Sequence, residues 1–125
     1  MSNVVDFESR ASRSGRRVLD AMPAALAAVP SWAEPVTPDN LFADYGEVSV
    51  AYESREFGAG LLSAHVTQGA GVLPDGTIYF SEEPSYTVAL NMDGLQDTSR
   101  LRDAAARLLA LADFAEGVLP NGGRR

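Results

Sequence analysis

Between Val48 and Met92 the apolar residues fall at every second position, and no other property of the chain limits its fold so sharply. Val48, Val50 and Tyr52 alternate with Glu47, Ser49, Ala51 and Glu53. Leu62, Ala64 and Val66 alternate with Leu61, Ser63, His65 and Thr67. Ile78 and Phe80 point away from Thr77, Tyr79 and Ser81, as Tyr86, Val88, Leu90 and Met92 do from Ser85, Thr87, Ala89 and Asn91. A period of two belongs to strands with one apolar and one polar face, so four strands are predicted. Leu73-Pro74-Asp75-Gly76 joins the second to the third as a tight turn: proline presets φ, aspartate bonds the backbone and glycine takes the left-handed position. Gly69 and Gly71 predict a bulge or bend before Val72.

On both sides of this region the spacing becomes helical. Val18, Met22, Ala25, Leu26 and Val29 draw one apolar stripe. With Asp20 as N-cap, Pro23 lies in the first turn; a longer helix would kink there, and Pro30 ends it either way. Asp97, Thr98 or Ser99 caps a second helix that runs to about Glu116, where Gly117 is expected to stop it. Its apolar arc holds Leu101, Ala104, Ala105, Leu108, Leu109, Leu111, Ala112 and Ala115, and the alanines permit close approach to a sheet. Residues 30 to 44, with Pro30, Pro35 and Pro38, read as an ordered loop pinned by Trp32. The expectation is an α+β fold: an N-terminal helix, a four-stranded antiparallel meander and a C-terminal helix packed on one sheet face. Residues 1–14 are expected as a flexible arm, 15–117 as a single domain and 118–125 as a polar tail.

Composition narrows the chemistry. The 125 residues contain no cysteine, which removes disulfides, thiolate metal sites and cysteine nucleophiles. Lysine is absent too, so P-loop, Schiff-base and serine–lysine chemistry are excluded. Of the net charge of -7, residues 30–97 carry -10, with eleven carboxylates against Arg55 alone, while both flanks are mildly basic. Such a middle repels phosphate backbones, so no direct nucleic-acid contact is expected; a basic protein surface is the matching partner, and simple solubility is the plainer explanation. No run of 18 apolar residues is present, so no membrane span is expected. Arg16 and Arg17 ahead of Val18–Val29 superficially suggest an export leader, but Asp20 and Pro23 interrupt the apolar stretch and Asp6 and Glu8 precede it. The chain is therefore expected to be cytoplasmic.

The single histidine, His65, precludes histidine-pair metal motifs. Its predicted place, on a polar face near Glu47 or Tyr79, could make an acid/base pair with a carboxylate if a cleft surrounded it; an isolated surface histidine is the alternative. Gly58-Ala59-Gly60 and Gly69-Ala70-Gly71 lack the third glycine and the following helix of a dinucleotide site. Asn91, Asp93, Gly94 and Asp97 do not keep calcium-loop spacing and suit a capping turn. No cofactor and no metal are expected. What remains is a hydroxyl-rich sheet face bordered by acids, on which Glu47, Ser49, Glu53, His65 and Tyr79 are candidate binding residues. Trp32 joins them as a surface anchor or, alternatively, belongs to the core.

Pro30-Ser31-Trp32, the acidic strands and the alanine-rich helix Leu101–Ala115 together resemble a small α+β domain of actinobacteria and their phages. The resemblance spans residues 30–115 and lies in order and spacing. Members usually carry a cysteine and histidines just after the tryptophan; Ala33 and Glu34 stand there instead, so no metal role carries over. It implies a fold and a phage or mobile-element origin rather than an activity. The expectation for function is a non-catalytic protein-binding module that docks on a basic protein surface or self-associates. The alternatives are a small enzyme using His65 with a nearby carboxylate, and an acidic mimic that occupies a DNA-binding partner's site.

Overall fold

The computed structural model describes residues 2–91 and 97–119, residues 2–12 by their backbone alone. The fold is α+β, with one helix before and one after the strands of an antiparallel sheet along the chain: α1 (Ser2–Ala27), a 3-10 turn (Pro38–Asn40), β1 (Leu41–Ala43), β2 (Val48–Glu53), β3 (Leu62–Val72), β4 (Ile78–Phe80), β5 (Ser85–Leu90) and α2 (Thr98–Val118). By hydrogen bonding the strand order is β1-β2-β3-β4, with β5 paired to β3. The chain divides into two compact units. The first comprises Met1–Val29, Pro35–Tyr52 and Gly69–Glu83, the second Pro30–Glu34, Glu53–Gln68 and Pro84–Arg125.

In the first unit α1 starts at Ser2 rather than near Val18, so the segment expected as an arm has helical backbone. Pro23 lies inside the helix, not in a first turn capped by Asp20. The helix buries Ala21 and Ala25, while Leu26 of the expected stripe is exposed. Tyr52, fully buried, donates its hydroxyl to the Ala25 carbonyl at 2.8 Å. That carbonyl lies in the last turn of α1, where acceptors have no intrahelical donor, so the phenol completes the helix end. Burial holds the Tyr52 phenol above its ordinary pKa, and its ring meets Phe80 at 5.8 Å between centroids.

The segment expected as an ordered loop over 30–44 holds a 3-10 turn and a short strand. Thr37 and Asn40 form a capping box around the 3-10 turn, and β1 then pairs with β2. The expected hairpin forms: Leu73 N–H bonds Thr77 O, Gly76 N–H bonds Leu73 O, and Asp75 accepts from Thr77 N–H. Gly76 takes φ +89°. β3 runs on past Gly69 and Gly71 to Val72. Gly71 pairs with Tyr79, and a Cβ there would fall 2.8 Å from the Tyr79 ring and 2.9 Å from a Glu47 oxygen. This glycine serves a close approach rather than a bend.

The meander is corrected at its last step: β5 pairs with β3, not with β4. Ala70 faces Phe80 and Thr67 faces Ser85, so three steps along β3 oppose five along the returning chain. The surplus falls within Ser81–Pro84, where Pro84 has no amide to offer a ladder. In the second unit β3 shows the predicted alternation, with Leu62, Ala64 and Val66 buried and Ser63, His65 and Thr67 half-buried. Asp97 caps α2 by accepting from Ser99 N–H, and that bond, with one from the Ser99 hydroxyl, holds its carboxyl below the ordinary range. Gly117 does not stop the helix, which continues to Val118. Of the predicted arc, Ala104, Leu111 and Ala115 are buried, whereas Leu101 and Leu109 are exposed. Phe114, outside that arc, meets Phe57 at 5.1 Å, and the Arg55 guanidinium lies 4.1 Å above the Phe57 ring. Met92, Asp93, Gly94 and most of the expected tail lie outside the described residues.

Candidate functional site

The predicted site residues fall into two groups, one in each unit. In the first, Glu47 follows Gly46, whose φ of +74° turns the chain between β1 and β2. Its carboxylate accepts from the Tyr79 hydroxyl at 2.7 Å, over the space that Gly71 leaves open. The hydrogen bond to that anion holds the Tyr79 phenol above its ordinary pKa. Ser49 donates to the Asp44 carboxylate. Arg17, from α1, donates to two backbone carbonyls, Asp44 O at 2.6 Å and Glu47 O at 2.9 Å. A cleft of about 330 Å³ opens beside them, lined by Arg17, Asp20 and Ala21 of α1, Gly46–Val48, and Val72–Pro74 with Gly76 of the hairpin. Its floor is apolar, with Ala21, Val48 and Val72 buried, and carboxylates stand at its rim.

In the second unit His65 lies between two glutamates. Its Nδ1 is 3.3 Å from Glu56 and its Nε2 4.0 Å from Glu53. Glu56 is the more constrained partner, accepting from the amides of Gly58 (2.9 Å) and Ala64 and from the Ser63 hydroxyl. Partial burial raises the Glu56 carboxyl, but the Ala64 and Gly58 amides and the His65 imidazole together bring it below its ordinary value. The group therefore acts as an anchored carboxylate closing the loop after β2, with His65 as its neighbour. Among the described residues no set of three or more histidine, aspartate or glutamate side chains is placed to hold a metal ion. No described helix is long and apolar enough to cross a membrane.

Thus Glu47 and Tyr79 come together, as do Glu53 and His65, while Ser49 bonds Asp44. Trp32 is buried, within the second unit, and presents no surface for a partner. Arg17, Asp44 and Glu56 escaped the sequence reading because alternation assigns faces only within strands, and all three lie on a helix or in loops. The one cue was Glu56-Phe57-Gly58 just past a strand end, where a side-chain acceptor can fold back on a turn. Comparison with family models, curated proteins and solved structures finds no match.

Proposed function

We propose that the chain is a non-catalytic protein-binding module and that the cleft of the first unit receives a basic side chain from its partner. The observation that supports this is how charge is used around the cleft. Arg17 directs its Nη2 donors to the Asp44 and Glu47 carbonyls, and the Glu47 carboxylate accepts from a phenol. A preset anion above an apolar floor suits arginine, whose stem packs while its head pairs with the carboxylate. The acidic balance of residues 30–97 would speed the encounter with such a partner. The setting we propose is cytoplasmic, and a phage or mobile-element origin remains part of the proposal.

An arginine-rich peptide is the probe. Titration followed by backbone amide NMR should shift Gly46–Val48 and Val72–Gly76 first, and binding should weaken as salt rises. Glu47→Arg should weaken it roughly tenfold or more. Equal shifts at every carboxylate, or unchanged binding by the variant, would remove the cleft from the reading.

A further inference from the structure

A different surface carries an inference about self-association. Asn91 N–H bonds Leu61 O, one step beyond the Leu62–Leu90 pair. Bonded pairs alternate along an antiparallel ladder, so Ala89, Thr87 and Ser85 also turn their amides and carbonyls to β3. The backbone groups of Tyr86, Val88 and Leu90 therefore point the other way, where no strand pairs with β5 among the described residues. These three residues are 45%, 49% and 47% exposed. Open edges are normally blunted by charge, proline or a bulge, yet the six residues of β5 contain none of these. Glu82, Glu83 and Pro84 lie just outside it.

We propose that β5 pairs with β5 of a second copy of this chain, antiparallel about a two-fold axis through Val88. A two-fold axis normal to a sheet keeps each face on its own side, so opposed residues must share parity. Centring on Val88 meets that condition, with Val88 opposite Val88, Tyr86 opposite Leu90 and Thr87 opposite Ala89. All three outward-pointing backbone positions then find partners, and six half-exposed apolar side chains close into one strip. The occupant follows from charge. A chain of net charge -7 repels its own copy over most of its surface, and β5 offers it an uncharged strand with self-complementary register. A basic partner gains nothing from that neutrality.

Sedimentation equilibrium of the full chain over a range of concentrations tests this, with amide hydrogen exchange read on the same samples. The expected result is a mass rising from one chain toward two with concentration. Added salt, by screening like net charges, should tighten the association, opposite to its effect on the arginine-rich peptide. The amides of Tyr86, Val88 and Leu90 should gain protection with concentration, while those of Thr87 and Ala89, already bonded to β3, stay protected throughout. Val88→Arg places like charges opposite each other and should weaken dimerisation roughly tenfold or more. A single-chain mass at every concentration overturns the proposal. So does a dimer in which the Tyr86, Val88 and Leu90 amides exchange freely, or one that Val88→Arg leaves intact. The exchange measurement on the unmodified chain decides the matter even if the variant misfolds.

Discussion

Where β2 ends, the Ala64 and Val66 amides that β3 directs toward it are taken by side chains. Glu56 accepts from Ala64, and Ser54 accepts from Val66 at 2.9 Å. The matching carbonyls bond Phe57 N–H and Ser54 N–H. On β5 the amides of Tyr86, Val88 and Leu90 point away from β3 and meet no strand among the described residues. Both segments belong to the second unit, and both show the same alternation in sequence. One margin is finished by side chains folded back from the loop that follows β2, and the other is left as a template. The difference teaches that a strand's pattern fixes which way its side chains point, while the neighbouring chain decides whether that face and edge are covered.

Leu62 and Leu90 give the sharpest test, because they are register partners of the same residue type. Leu62 is 5% exposed and Leu90 47%. Leu62→Ala should cost about 2–5 kcal/mol in urea unfolding, through lost burial and the cavity left behind. Leu90→Ala should cost less than about 1 kcal/mol in dilute solution. Equal losses in dilute protein would break the contrast. A Leu90→Ala loss that grows with concentration would sharpen it, since β5 is then covered by a second copy.

Smaller effects are expected at the finished margin. Ser54 is buried, accepts from Val66 N–H and donates to Arg55 O. Ser54→Ala leaves the Val66 amide without its acceptor and should cost about 1–3 kcal/mol. Ser85→Ala, at an exposed position of β5, should stay within about 0.5 kcal/mol. Gly58 belongs to the same margin: a Cβ there would run into the backbone carbonyl of Leu62, which cannot swing aside. Gly58→Ala should therefore cost about 1–3 kcal/mol in thermal or urea unfolding. A cost near zero would mean that the loop after β2 does not hold β3 as tightly as these contacts require.

What the sequence made legible follows from the same physics. The faces of β2 and β3 were readable because alternation is a local property, and the Pro-Asp-Gly turn because its residues have fixed backbone preferences. The position of β5 was not, since a strand returning after Glu82-Glu83-Pro84 can pair with either available neighbour; in the structure β4 covers only Ala70–Val72 of β3, and β5 pairs with Leu62–Thr67 beyond it. The start of α1 was missed because residues 2–14 carry no apolar stripe. Trp32 could be read as core or anchor; tryptophan is more often buried, and it is buried here. Of the candidate site residues, Glu53, His65 and Tyr79 lie on strand faces as read, while Glu47, placed on a strand by the same alternation, stands in the turn just ahead of β2. Their partners were not legible, because Arg17 and Glu56 are brought in by chain geometry of long sequence separation or by a loop.

The last test concerns pH and separates an anchored carboxylate from an ordinary surface one. The Glu56 carboxyl sits below its ordinary value of 4.5 in the folded chain. A depressed folded value means that the unfolded chain binds the proton more readily. The stabilisation is therefore complete above the unfolded value and fades as pH falls through the folded one. Glu56→Gln keeps a carbonyl acceptor for the Ala64 amide but removes the charge that makes the bond strong. The variant should be less stable than the parent near neutral pH, and the two should converge in urea unfolding carried from about pH 7 to about pH 3. Asp75 and Asp97, held low by Thr77 and Ser99, weaken both proteins alike over the same range and leave the difference readable. Parallel curves with a constant gap would show that Glu56 contributes shape alone. The finished margin of β3 would then rest on Ser54, and the charge beside His65 would be free for another use.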